Sequence, residues 1–447
     1  MAHTATQARP ARARAFGPRW LFGPWTPWLR DVTDVLRLAF LIGVPVVLVA
    51  GPREEALRLA LTFAVALLPR LLETPRPFDL AFNLAMSLQA WGNVGGAFDA
   101  WLPYHDIVHC LLTMAAAALF YLLLVRLRLV ADIERERGIH EHLGMALIVF
   151  AIGSFVGAVY EEYEWFAINV MHAHLIENYQ HDIDDLFFNA IGALAAGALL
   201  VLWARRGWTT RRADADDPLG GALRGFERKL RPDDDAPPAP VRERPAWMRA
   251  PADAIRLSFL AGIPAAALGG TWEDGARFAV TFLASLPGRV IGSHRFFDLL
   301  WVCALGFTAW GDFAGAFGHV PGYQDWTFFA VSLAAGPLLY LLLVDLRVLP
   351  AFERERRVHR NVAVFLAVMC LGYCVGIYYE LYVWVANHAF GAHFPVSWDR
   401  LSRQLALDWA GAIAGAVTIL GWERHRPIAA PQEEAAGRPS RIAPPPG

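Results

Sequence analysis

The sequence predicts an all-α fold, a polytopic bundle of transmembrane helices, and three observations carry that expectation. Of its 447 residues, 56% are hydrophobic and only 18% charged, against about 25% charged in an ordinary soluble chain. The apolar residues fall into runs near the roughly 20 residues needed to cross a bilayer. None of these runs shows the ten-residue alternation of an outer-membrane barrel. Other classes drop out on the same grounds. A formal charge of −2 leaves no basic face for nucleic acid. Cys110, Cys303, Cys370 and Cys374 are too few, and too apolar in context, for a disulfide frame or a zinc finger.

The first half offers six apolar stretches, near 33–51, 55–71, 78–97, 107–126, 143–171 and 184–203. The second half offers six more, near 252–270, 274–290, 297–316, 326–344, 361–390 and 404–421. About 12 spans are therefore expected. The second stretch of each half is short and carries Arg58 or Arg277, whose long stem can snorkel towards the headgroups. Arg9, Arg12, Arg14 and Arg19 place the N-terminus in the cytoplasm by the positive-inside rule. Arg70 and Arg76, then Arg126, Arg128, Arg135 and Arg137, then Arg205, Arg206, Arg211 and Arg212 follow on the same side. Segments 98–106 and 172–185 contain neither Lys nor Arg and are expected outside. Trp20, Trp25, Trp28, Trp101 and Trp203 suit an interfacial aromatic belt. Cys370 and Cys374 share an apolar helix face and read as core packing.

The chain also resembles itself at an offset of 219 residues. Residues 28–51 and 247–270 share 10 identities in 24, and residues 115–140 and 334–359 share 15 in 26, without gaps. This predicts a tandem duplication with both copies entering the membrane from one side, a parallel repeat. The expected organisation is a cytoplasmic tail (1–27), a first repeat (28–204), a linker rich in charge and Pro (205–246), a second repeat (247–422) and a disordered tail (423–447).

Ionisable residues inside apolar spans mark candidate sites. Three groups stand out in the first half. Asp106 and His109 are spaced i,i+3 on one helix face, in the segment Tyr104-His105-Asp106-Ile107-Val108-His109. Glu161 and Glu164 share the same spacing, with Trp165 beside them. Asp182, Asp185 and Asn189 lie on one face of the sixth span, followed by Gly192. All three groups fall near the outer ends of their helices, so one extracytoplasmic pocket is expected. Asp106, His109, Glu161 and Asp185 form a candidate ligand set for Zn, Mn or Mg. Glu161, Glu164 and Asp182 are candidate acid/base groups. A helix N-terminus favours anions, which accounts for Asp106, Asp182 and Asp185 without chemistry. The same dipole disfavours Glu161 and Glu164, which lie towards a C-terminus.

The order D-x-x-H, then E-x-x-E-W, then D-x-x-D-x-x-x-N-x-x-G resembles the VanZ-like membrane proteins, and most closely the YjdF-like inner-membrane family. It rests on Asp106 and His109, on Glu161, Glu164 and Trp165, and on Asp182, Asp185, Asn189 and Gly192. The resemblance implies a small helical bundle in a bacterial inner membrane, with a link to cell-envelope properties and no established activity. Two copies in one chain depart from that pattern. Aligning the copies pairs Asp106 with Asp325, Glu161 with Glu380 and, after a four-residue shift, Asp185 with Asp408. His109 meets Phe328 and Glu164 meets Val383, so the second copy is expected to be degenerate. Three functions remain open: metal-dependent or acid/base processing of a lipid or lipid-linked envelope substrate, a proton-coupled carrier, and a non-catalytic scaffold or binder. The bilayer itself is an expected partner, and the number of subunits is left open.

Overall fold

The computed structural model describes residues 29, 31–101, 103–126, 139–170, 178–206, 248–290, 295–345, 349, 358–389 and 394–424. The expected tail 1–27, the linker 205–246 beyond its first two residues, and the chain after 424 lie outside the described residues. So do Arg128, Arg135, Arg137, Arg211 and Arg212. The fold is all-helical. Helices α1 (Val32–Ala50), α2 (Arg53–Ala66), α3 (Arg76–Val94), α4 (Pro103–Arg126), α5 (Ile139–Asn169) and α6 (Tyr179–Arg205) make up the first half. The second half contains α7 (Arg249–Gly269), α8 (Trp272–Ser285), α9 (Arg295–Phe313), α10 (Tyr323–Asp345), α11 (Val358–Ala389) and α12 (Trp398–Arg424).

Among the described residues, 9 helices are long and apolar enough to cross a membrane, where the sequence predicts about 12. Helices α2 and α8 have 14 residues each. At 1.5 Å per residue that is about 21 Å, short of a hydrocarbon core of roughly 30 Å. Glu54 and Glu55 sit in the first turn of α2, and a Thr271–Asp274 capping box starts α8; both suit a helix N-terminus. Helix α3 has the length, 19 residues, but Arg76, Asp79, Asn83, Gln89 and Asn93 make it too polar. Arg58 and Arg277 do not run out to the headgroups as expected. Arg58 is buried and pairs with Glu55 at 3.1 Å, while Arg277 joins Asp274 and, at 2.7 Å, Asp312.

The polar residues of α1 face inwards and its apolar ones outwards, the arrangement a lipid solvent favours. Its buried side carries Thr33, Asp34, Arg37, Phe40, Gly43 and Val47, whereas Leu41, Ile42, Val46 and Val49 are exposed. Lipid supplies no hydrogen-bond partners, so a buried guanidinium must find them within the protein. Arg37 Nη1 lies 2.7 Å from Asp34 Oδ1, its Nη2 bonds Asp79 of α3, and its Nε donates to the Ala66 carbonyl at 2.8 Å. One side chain thus ties α1, α2 and α3 together.

The same clamp recurs 219 residues on. Arg256 bonds Asp298, pairs with Asp253 at 3.1 Å, and donates from Nε to the Ser285 carbonyl at 3.1 Å. Phe78 packs edge-on against Trp203, and Phe297 packs likewise against Trp422. Gly96 and Gly315 both take left-handed backbone (φ 67° and 74°) to start the single turns Ala97–Ala100 and Ala316–His319. Such a φ is open to glycine at no steric cost.

Tight interhelical contacts also repeat at this spacing. A Cβ built on Gly192 of α6 would lie 2.2 Å from the Cys110 carbonyl oxygen of α4, and one on Gly411 of α12 would lie 2.3 Å from the Phe329 carbonyl oxygen of α10. Small residues let membrane helices approach this closely. The two halves meet along α5 and α11, where Ser154 Oγ lies 2.9 Å from the Tyr378 hydroxyl and Phe150 stacks on Tyr378. A single cluster of buried side chains, including Tyr121, Met145, Ile152, Tyr340, Val368 and Ile419, runs through both. Cys370 and Cys374 are buried free thiols within this packing.

Removing one partner of a buried ion pair leaves the other charge stranded, at a cost of about 3–5 kcal/mol. Arg37→Ala and Arg256→Ala should each lower the thermal unfolding midpoint in detergent by an amount of that order; an unchanged midpoint would contradict the clamp. Gly192→Ala should destabilise by at least about 1–3 kcal/mol through overpacking. Gly421→Ala, whose Cβ meets nothing within 4 Å, is the matched control and should not destabilise.

Candidate functional site

The start of α4, the end of α5 and the start of α6 converge at one end of the bundle. His109 lies six residues into α4, Asp185 six into α6, and Glu161 eight before the end of α5. At 1.5 Å per residue these depths are about 9 to 12 Å. Asn178 caps α6, its side chain accepting the His181 backbone N–H at 3.0 Å. That cap fixes where α6 begins and hence which of its residues face α4.

His105 and His109, one turn apart on α4, both reach α6. His105 Nδ1 lies 2.8 Å from Asp185 Oδ1, and His109 Nε2 lies 3.9 Å from the same oxygen. From α5, Glu161 Oε1 approaches His109 Nδ1 at 3.2 Å. His181 Nε2 stands 3.8 Å from Asp185 Oδ2, and the His105 ring lies between those of His109 and His181, with centroids 4.4 Å and 4.3 Å away. One ligand atom from each of His105, His109, Glu164 and Asp185 lies within 4.8 Å of the other three.

The relevant observation for a ligand is what this cluster leaves unmet. His109 is 1% exposed, yet neither of its ring nitrogens has a hydrogen-bond partner among the described residues, and Asp185 Oδ2 has none either. A buried polar atom left so costs roughly 1–3 kcal/mol. Two imidazoles and two carboxylates are a donor set suited to Zn or Mn. Mg, which prefers an all-oxygen shell, fits less well. Tetrahedral donors about 2.1 Å from zinc stand about 3.4 Å apart, so small side-chain rotations would bring the four into range.

A hydrogen-bonded relay supports the cluster from behind. Thr113 Oγ1 donates to Asn189 Oδ1 at 2.6 Å, and Asn189 Nδ2 donates to Glu161 Oε1 at 2.9 Å. Asn189 needs the glycine opposite, because a Cβ on Gly157 would lie 2.6 Å from its Cγ. Glu161 thus stands behind His109 as an orienting carboxylate, an arrangement common around metal-bound histidines.

Of the residues expected from sequence, His109, Glu161, Glu164, Asp185 and Asn189 come together. Asp106 is half-buried and lies outside the group of four, and His105 occupies the place expected of it. Asp182 is buried in the first turn of α6 but also stands outside the group. Trp165 is half-buried, and its carbonyl accepts from Asn169 Nδ2 at 2.9 Å. Gly192 contributes only its lack of a side chain. His105, Thr113 and His181 are additions; the i,i+4 spacing of His105 and His109 was the readable signal for the first of them.

In the second half the register differs from the expected one. Ser332 Oγ donates to Asp408 Oδ1 at 2.6 Å, the bond that Thr113 makes to Asn189, and a Cβ on Gly376 would strike Asp408 as one on Gly157 would strike Asn189. Asp408 therefore corresponds to Asn189 without any four-residue shift. Gln404 takes the place of Asp185, because the close Gly192 and Gly411 contacts fix the register of both helices. Gln324 stands for His105 and accepts from Arg400 Nη1 at 3.2 Å, where His105 stacks with His181. Phe328 and Val383, replacing His109 and Glu164, are buried in an apolar cluster. Glu380 remains buried, and Asp325 pairs with Arg403 at 3.4 Å.

A cavity of about 460 Å³ adjoins the cluster, reached by His109, Thr113 and Asn189. Its wall is mostly apolar, and Leu61, Val65 and Phe120 are both part of that wall and exposed on the outside of the bundle. In a bilayer that side faces lipid. No curated protein and no solved structure matches the chain. A family described as predicted membrane protein (DUF2238) matches residues 34–206, the stretch that holds every residue of this cluster, and with the long apolar helices it marks the chain as an integral membrane protein carrying a buried His/Asp/Glu site.

Proposed function

We propose that the first half binds a divalent cation through His105, His109, Glu164 and Asp185, at the extracytoplasmic side of an inner membrane, and processes a lipid or lipid-linked substrate there. The observation that carries this reading is the buried His109 with both ring nitrogens unmet inside a two-histidine, two-carboxylate cluster. The adjoining apolar cavity with its lipid-side wall supports a membrane-borne substrate. A bound cation would supply Lewis acidity at the end of that cavity. Glu161 orients His109, and the Asn189 relay holds Glu161. The absence of Lys and Arg from segments 98–106 and 172–185 supports the outward orientation. The VanZ-like and YjdF-like likeness belongs to the same reading.

We read the chain as a tandem duplication whose second copy has lost this site. The matched Arg37 and Arg256 clamps and the matched Thr113–Asn189 and Ser332–Asp408 bonds support it. Phe328 and Val383 leave the second copy without a comparable donor set.

Metal analysis of the purified chain tests the proposal. Wild type loaded with Zn or Mn and desalted should retain about one ion per chain, and His109→Ala or Asp185→Ala should retain none. His388→Ala, an exposed histidine, should behave as wild type. A wild type that retains no metal would overturn the reading. Glu161→Gln should keep the ion but bind it about 10–100-fold more weakly, the usual cost of losing an orienting carboxylate; competition with a chelator measures this.

A further inference from the structure

The cavity holds a charged group that the metal reading does not use. Arg58 lines it together with Glu55, Gln89 and Asn93, and it is 8% exposed. Its Nη1 donates to Glu55 Oε1 at 3.1 Å. A guanidinium carries five N–H donors in a planar fork. Glu55 is itself half-buried at the same wall.

The second half shows the same position with its charge closed off. Its cavity is smaller, about 290 Å³, and is lined by Arg277 together with Asp274 and Asp312. Arg277 bonds both carboxylates, Asp312 at 2.7 Å, and its guanidinium carbon lies 5.6 Å from the centre of the Phe394 ring. The residue 219 positions before Asp312 is Asn93, half-buried at the first cavity. One carboxylate has therefore been exchanged for a neutral amide, on the side of the molecule that also keeps its histidines.

We infer that Arg58 is the headgroup anchor of a binding site for a lipid phosphate, whose alkyl chain fills the cavity beside Leu61, Val65 and Phe120. A guanidinium fork matches phosphate oxygens in a bidentate fashion. The apolar wall matches an alkyl chain and leads from the bilayer. A volume of about 460 Å³ is of the size of ordinary ligand pockets, roughly 300–1,000 Å³. His109 lines the same cavity, so a phosphate on Arg58 is presented to the cluster. This deepens the proposed function by naming its substrate class, and it rests on the lipid-side access in that reading rather than on the metal.

Native mass spectrometry of the full chain in an uncharged detergent tests it, with dodecyl phosphate, dodecanoate and inorganic phosphate as probes. Each is titrated into chelator-treated and zinc-loaded protein, so that a failure of metal binding is read separately from a failure of the anchor. Dodecyl phosphate should bind saturably in both states, and at least tenfold more tightly than dodecanoate or inorganic phosphate. Arg58→Gln should weaken it at least tenfold and Arg277→Gln should leave it unchanged. Asn93→Asp, which is isosteric and rebuilds the closed arrangement of the second half, should also weaken it at least tenfold. Wild-type affinity in folded Arg58→Gln or Asn93→Asp protein would overturn the inference, as would equal binding of dodecanoate or inorganic phosphate.

Discussion

The first-half site depends on one buried amide. Asn189 accepts from Thr113 on α4 and donates to Glu161 on α5 while standing on α6, so a single side chain fixes three helices relative to one another. Water is not available there to satisfy an amide, so the two bonds are obligatory for a helix packed in lipid. Gly157 and Gly192 make the approach possible by leaving room for the Asn189 side chain and for the Cys110 carbonyl. Once the three helices are locked at this spacing, His109 is held against Glu161 and Asp185, and the metal-suited donor set follows from where α4 and α6 begin.

Polar residues in this bundle divide by how fully they are met. Arg37 finds acceptors for Nε, Nη1 and Nη2, and Arg256 does the same with the equivalent partners. Such a residue serves the fold, and both halves have it. His109 and Asp185 keep unmet atoms in the interior, and neither has a counterpart of its own kind 219 residues later. Groups that cost stability in one half and are replaced by Phe328 and Gln404 in the other are those whose worth depends on a ligand. Glu380 and Asp408 complicate this division, since each retains one unmet oxygen in a half with no histidine beside them.

The sequence made the fold class legible because lipid-facing residues must be apolar over the whole length of a span, which composition and run length report directly. It reported α2 and α8 poorly. Their apolar residues suffice for a span, but Glu54, Glu55 and Glu273 at their starts cap helices only 14 residues long. At the site, the pairing of Asp106 or His105 with His109 was not decidable from spacing, because i+3 and i+4 neighbours share a face equally well. Only the position of Asp185 on another helix chooses His105. The partner of Asp408 was misjudged for a related reason. Matching acid to acid demanded a shift, whereas backbone contact at Gly192 and Gly411 admits none, and helix packing outranks residue type when the two conflict.

That ranking bears on how a second copy can lose a site without losing its fold. The contacts that set helix spacing involve Gly157, Gly192 and their equivalents, together with a hydroxyl at Thr113 or Ser332, and all of these persist. Side chains projecting into the cluster can then be exchanged with little strain, provided charge leaves as a set, because a lone buried ion costs more than either a pair or an apolar residue. His109, Glu164 and Asp185 have been replaced together by Phe328, Val383 and Gln404. At the neighbouring cavity the exchange runs the other way, since Asp312 adds a carboxylate where Asn93 has none and neutralises Arg277. Removing the cluster and closing off the arginine are two routes to the same end, an interior with no charge left in need of a ligand.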